Sequence, residues 1–179
     1  MLRITGKADM PQASLEIDPH VPFILRLGVR PEAGNSLRWY FGEGDESRLE
    51  IWLDENTGAI HRVSLVWVSK RHVSVLDEAD KGPNVPSAGR TPVCDKTDWA
   101  QAADSIGQIS ASGEFRLTLG RDYASIRFPG AGEAKEWIIN HRSRFGIDSK
   151  QRLSSIDLIG LKSDEAARLR DSVESSAPR

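Results

Sequence analysis

The stretch LEIWLDENTGAIHRVSLVWV, residues 49–68, decides the fold. Leu49, Ile51 and Leu53 alternate with Glu50 and Trp52, and after DENTG the pattern resumes with Val63, Leu65 and Trp67. A period of two with a short polar interruption predicts an antiparallel hairpin. Gly58 can take the positive φ that closes its turn. The same alternation runs upstream through Phe23, Leu25, Leu27 and Val29, then Leu37, Trp39 and Phe41. Arg26, Arg30, Arg38, Glu50 and Arg62 fall on the opposite faces, so the sheet has one covered and one wetter side.

Outward from this meander, DKGPNVPSAGRTP (80–92) holds three prolines and two glycines and predicts a long loop. TDWAQAADSI (97–106) can form a short helix capped by Thr97. Strand patterns return in GEFRLTLG, YASIRF, EWIIN and RLSSIDLIGL. From Ser163, a suitable N-cap, the period changes. Asp164 and Glu165 suit a helix N-terminus, and Ala166, Leu169 and Val173 share one face, which predicts a terminal helix of about three turns packed on the sheet. The expected class is α+β: one domain over 1–179, mostly antiparallel sheet, with a C-terminal helix.

FGIDSKQRLSSIDLIGL (145–161) repeats the strand, Asp, polar turn, strand order of the opening hairpin, with Asp148 matching Asp54, and Ile156 and Leu158 matching Val63 and Leu65. Two related halves, 14–76 and 113–175, joined by a loop-rich segment 77–112, would explain the echo. Chance likeness of two hairpins is the competing explanation.

The chain of 179 residues has a net charge of −2, so no global basic field exists to hold DNA or RNA. Cys94 is the only cysteine, no leader-like or membrane-spanning apolar run occurs, and a cytoplasmic protein is expected. His20, His61, His72 and His141 are scattered, outside any metal-ligand spacing, so no metal or cofactor is expected. No nucleophile signature of the G-x-S-x-G kind is present. Cys94, beside Arg90 and Lys96, reads as an incidental loop cysteine, and the glycines of FPGAGEAKEW as turn residues. No catalytic residue is assigned.

The largest local charge asymmetry lies in the opening hairpin. Glu43, Asp45, Glu46, Glu50, Asp54 and Glu55 face Arg48 alone, a local charge near −5, and alternation sends Trp52 to their side. Trp52 and Tyr40 can pair across strands or lie under the terminal helix. Alternatively they anchor a partner drawn in by the carboxylates. Under that second view Glu43, Asp45, Glu46, Glu50, Trp52, Asp54 and Glu55 form the binding surface.

The rhythm LRWYFGEGDESRLEIWLDENTGAIHRVSLV, about thirty residues, resembles hairpins in bacterial immunity proteins of contact-dependent inhibition and other polymorphic toxin systems. The resemblance implies a small cytoplasmic protein that binds one cognate toxin domain, often a nuclease, and blocks its active site. A basic nuclease would match the acidic hairpin. Strand addition at an open sheet edge is another mode. The competing functions are a small-ligand protein or enzyme, with a pocket between sheet and helix lined by Trp99, Trp137 and Tyr123, and an assembly subunit. On the pocket view His141, Arg142 and Arg144 would converge with a carboxylate; otherwise they form a solvated basic turn.

Overall fold

The computed structural model describes residues 1–28, 36–80, 82–83, 89–97 and 107–176. The quoted stretch forms its central hairpin, strand β5 (Ser47–Asp54) against β6 (Ile60–Val68), with Leu49 opposite Leu65, Ile51 opposite Val63 and Trp52 opposite Arg62. With β2 (Ala13–Glu16), β3 (Phe23–Leu27), β4 (Ser36–Gly42) and β9 (Gln108–Ser112) it builds a first sheet ordered β2-β3-β6-β5-β4-β9. A second sheet takes β7 (Val73–Val75), β10 (Arg116–Leu119), β11 (Ala124–Arg127), β12 (Ala134–Asn140), β13 (Ser143–Asp148) and β14 (Leu153–Leu158), in the order β12-β13-β14-β11-β10-β7. A ribbon of β1 (Ile4–Asp9) and β8 (Arg90–Cys94) and the helix α1 (Ser163–Ser176) complete an α+β fold.

Both sheets share one plan. Each has a hairpin (β2-β3, β10-β11) followed by a meander (β4-β5-β6, β12-β13-β14), and the second hairpin strand pairs with the last meander strand, all antiparallel. The agreement extends to single residues. A bulge separates Trp52 from Leu53 in the register with β6, and another separates Gly146 from Ile147 in the register with β14. Gly58 (φ 76°) and Gln151 (φ 59°) hold the same place before the returning strand. Each sheet is finished by a parallel strand from the connecting chain: β9 along β4, and β7 along β10.

Three expectations about the connection need correction or refinement. The Pro-rich segment does not remain a loop to residue 92, because Arg90–Cys94 forms β8, with Pro92 opposite Lys7. Proline fits there because β8 has a full strand partner on one side only. On its other side Cys94 N donates to Gly58 O (2.9 Å) and Thr91 Oγ1 to Ile60 O (2.7 Å). Secondly, the loop-rich segment 77–112 also contributes two strands, β8 and β9. Thirdly, β7 lies within 14–76 yet belongs to the second sheet. Cys94 is a strand residue and buried; burial, with Asp95 adding to it, pushes its thiol well above the ordinary range.

Inward residues of both sheets form one buried cluster, including Phe23, Leu25, Ile51 and Leu65 from the first and Leu117, Ile126, Phe145 and Ile156 from the second. Trp39 and Phe41 stack at 4.8 Å, and Phe128 meets them edge-on at 6.4 and 5.6 Å. Fully burying one such side chain contributes about 1.5–3 kcal/mol. Trp67 departs from the expected inward pattern. A bulge after Leu65 turns it outward beside Arg48 and brings Val68 into the core instead.

Helix α1 is 14 residues long, about four turns rather than three. Ala166, Leu169 and Val173 are buried as their spacing requires. Its cap lies one residue earlier than expected: Ala166 N donates to Lys162 O, and Glu165 reaches back to accept from Lys162 N (2.9 Å). The expected helix over 97–106, Val29, Arg30, Trp99 and the last three residues lie wholly or mainly outside the described residues. No helix among the described residues is long and apolar enough to cross a membrane.

Candidate binding face

The first sheet presents an outer face whose composition follows from register. Arg38 of β4, Trp52 of β5 and Arg62 of β6 stand side by side across three strands. Both guanidiniums lie against the indole, Arg38 Cζ 4.3 Å and Arg62 Cζ 4.7 Å from the ring centroid. This explains an indole on the polar side of an acidic hairpin. Its quadrupole is matched by a cation from each neighbouring strand, and each contact contributes about 0.5–1 kcal/mol at a half-exposed position. Trp52 stays half-buried, neither entombed nor fully open.

The adjoining residues are tied into the same patch. Trp52 Nε1 donates to Glu50 Oε2 (3.4 Å), Arg48 Nε donates to Glu50 Oε1 (3.0 Å), and the Arg48 guanidinium lies 4.4 Å over Tyr40. Arg62 Nε donates to Ser64 Oγ (2.9 Å). His61, buried at the bulge, shares a hydrogen bond with Ser36 (3.1 Å) and meets Trp52 edge-on at 6.3 Å. Guanidinium and aromatic groups therefore hold the middle of the face.

The carboxylates lie mainly at its two ends. In the β4–β5 turn, Glu43 (3.0 Å) and Glu46 both pair with Arg71, and His72 sits 3.4 Å from Glu43 and 3.5 Å from Glu114. Glu43, Glu46 and His72 come within 4.8 Å of one another, a spacing that could hold a cation, and the Arg71 guanidinium is the cation drawn to it. Asp45 is exposed in the same turn. At the other end Glu55 is exposed, whereas Asp54 closes its turn: Oδ1 accepts from Asn56 N (3.1 Å), Thr57 N (2.7 Å) and Thr57 Oγ1 (2.8 Å). Burial pushes the Asp54 carboxyl up, but the Thr57 and Asn56 bonds outweigh it and hold it below the usual range.

The local charge near −5 counted over residues 43–55 is thus partly neutralised in the folded chain. Arg71, from outside residues 43–55, pairs with Glu43 and Glu46, and Arg38 and Arg62 place two further positive charges over Trp52. Of the seven expected residues, Glu50 and Trp52 share the central patch, and Asp45 and Glu55 stand exposed at opposite ends of β5. Glu43 and Glu46 are ion-paired, and Asp54 is a turn cap. Arg38 and Arg62 are the candidates that the count over residues 43–55 did not include. Their signal was present, since each faces outward on the strand beside Trp52.

The expectation of a solvated basic turn fails at Arg144, while His141 is exposed and Arg142 is half-buried and donates to Glu165 Oε2 (2.8 Å). Arg144 is only 4% exposed. Its Nε donates to Asp157 Oδ2 (2.8 Å), and Nη1 and Nη2 donate to the two oxygens of Asp80 (2.8 and 2.6 Å). Ser125 Oγ donates to Asp157 Oδ1 (2.6 Å), and Trp137 lies 5.3 Å from the guanidinium. Gly82 packs so closely on Arg144 that a Cβ there would lie about 2 Å from the guanidinium. Burial pushes the Asp80 carboxyl up, and Arg144 with the Gly82 amide holds it below the usual range. This network clamps the chain around Asp80 onto the sheet.

Small grooves open on the surface of the described residues. One of about 180 Å³ lies between β1 and β12, and one of about 170 Å³ lies between α1 and Ile17–Pro19. Both fall below the roughly 300 Å³ at which small-molecule pockets begin, and neither is lined by Trp137, Tyr123 or Arg144. The chain matches no protein-family model and no curated protein sequence.

Proposed function

We propose that this protein is a non-enzymatic immunity protein that binds a cognate bacterial toxin domain and blocks its active site with the outer face of the first sheet. The observation that carries this reading is Trp52, half-exposed and held between Arg38 and Arg62. Tryptophan, tyrosine and arginine dominate binding hot spots, and here the rings and guanidiniums already hold one another, so little side-chain freedom remains to be lost on binding.

The charge layout suits a nuclease domain. Such an active site gathers carboxylates around its metal ions and basic groups around its phosphate-binding rim. The face reverses that order, with guanidiniums at the centre and Asp45 and Glu55 just beyond the two ends of a strand of eight residues, about 25 Å long. Complementarity of this kind raises the rate of encounter and sets the partner's orientation.

Trp52→Ala should weaken binding to the toxin domain encoded beside this protein by at least about 30-fold, the cost of about 2 kcal/mol typical of a hot spot. Protection of toxin-expressing cells should fall with it. Affinity is read by calorimetry, with circular dichroism confirming an unchanged fold. An unaltered dissociation constant would remove this face from the interface, and absence of binding by the wild type would remove the function.

A further inference from the structure

Strand β7 is an edge of the second sheet, and no strand lies beyond it among the described residues. Val75 is 61% exposed and Leu76 41%; Met1 is the other exposed large apolar residue of the described chain. Natural sheet edges are usually guarded by a lysine, a proline, a bulge or a covering segment. Among the described residues, Val73, Ser74 and Val75 carry no such device.

Hydrogen bonding fixes which backbone groups face outward. Leu76 N donates to Leu119 O and Arg121 N donates to Glu78 O, while the parallel register sets Val73 beside Leu117 and Val75 beside Leu119. Even-numbered residues therefore address β10, and odd-numbered residues point away from the sheet. Val73 N already donates to Lys70 O. The outward row consists of the Val73 carbonyl, both Val75 groups and the Asp77 amide.

The row is complementary to itself. Antiparallel copies with Val75 opposite Val75 would exchange the Val75 N–H···O=C bonds, and Asp77 N–H of each would donate to the Val73 carbonyl of the other. The basic turn Lys70–His72 precedes the strand, and Asp77 (3.5 Å from Arg121) and Glu78 follow it, so the antiparallel sense sets Glu78 of one copy opposite His72 of the other, whereas the parallel sense sets like ends together. A twofold axis is the symmetry such a patch satisfies.

We propose that β7 is the association edge for a second copy of this chain, pairing antiparallel about a twofold axis at Val75 and joining two second sheets into one. The contact covers Val75 with its equivalent and sets Leu76 against Ser74. Its area falls below the roughly 1,000 Å² of a stable interface, so the dimer forms only at high protein concentration. This inference is independent of the toxin-binding reading, which uses the other sheet.

Sedimentation equilibrium on the full chain, from about 1 μM to about 500 μM, tests it. The wild type should rise from 19.8 kDa toward twice that mass. Val75→Pro should stay at 19.8 kDa, because the amide it removes points outward and the bonds to β10 remain. If circular dichroism shows that this variant is unfolded, Val75→Lys replaces it, keeping the backbone and placing two like charges at the axis. A wild type that remains monomeric at every concentration overturns the proposal, as does a folded variant that dimerises like the wild type.

Discussion

Asp148 and Asp54 occupy the same turn position in the two sheets, yet their replacement by asparagine should have very different costs. Asp148 has a side chain 1% exposed and uses both oxygens. Oδ1 accepts from Lys150 N and Arg152 N (each 2.8 Å), and Oδ2 accepts from Gly132 N (3.0 Å) and Arg152 Nε (2.8 Å). An asparagine must turn its NH2 toward one of these donor pairs. Two bonds to a charged acceptor become two donors facing donors, a loss of about 3 kcal/mol. Asp54 takes its three bonds on Oδ1 alone, and an asparagine carbonyl can keep all three, so Asp54→Asn should cost less than about 1 kcal/mol. Urea unfolding of both variants at pH 7 measures the difference. Equal costs, or less than about 1 kcal/mol for Asp148→Asn, would refute the hydrogen-bond accounting.

The same carboxylate sets an acid limit. Burial pushes Asp148 up, but the Gly132, Arg152 and Lys150 bonds outweigh it and hold its carboxyl well below the usual range. The folded state therefore binds fewer protons than the unfolded chain near the unfolded value of about 3.9. Its contribution is complete above about pH 5 and fades as pH falls below about 4, so the gap between wild type and Asp148→Asn should close in acid.

Arg144→Met removes the cation from between Asp157, which is fully buried, and Asp80, and should cost about 3–5 kcal/mol in urea unfolding; a loss under about 1 kcal/mol would show that the network is not a clamp. Gln151→Gly should raise stability by up to about 1 kcal/mol, because a non-glycine residue there holds φ 59°. Gly58→Ala at the matching position should lose more than about 1 kcal/mol, since φ is 76° and its Cβ would lie 2.5 Å from Cys94 O. Thermal unfolding distinguishes these opposite signs.

What could be read along the chain was local. Alternation placed Leu49, Ile51, Val63 and Leu65 in the core, and the helical period placed Ala166, Leu169 and Val173 against it. The β1-β8 ribbon escaped because Pro92 reads as a breaker unless one knows that its strand is fully paired on one side only. Trp67 escaped because one bulge residue reverses every later side chain on the strand.

The sequence by itself determined strand periodicity, the turn closed by Gly58, the terminal helix, and the α+β class, all properties of residues a few positions apart. Only the tertiary structure decided what each charged group faces. Arg38 and Arg62 reach Trp52 across strands, Arg71 returns to Glu43 and Glu46, and Asp80 meets Arg144 from 64 positions away. Electrostatic energy depends on separation in space and on burial, and both are set by strand order and register rather than by distance along the chain.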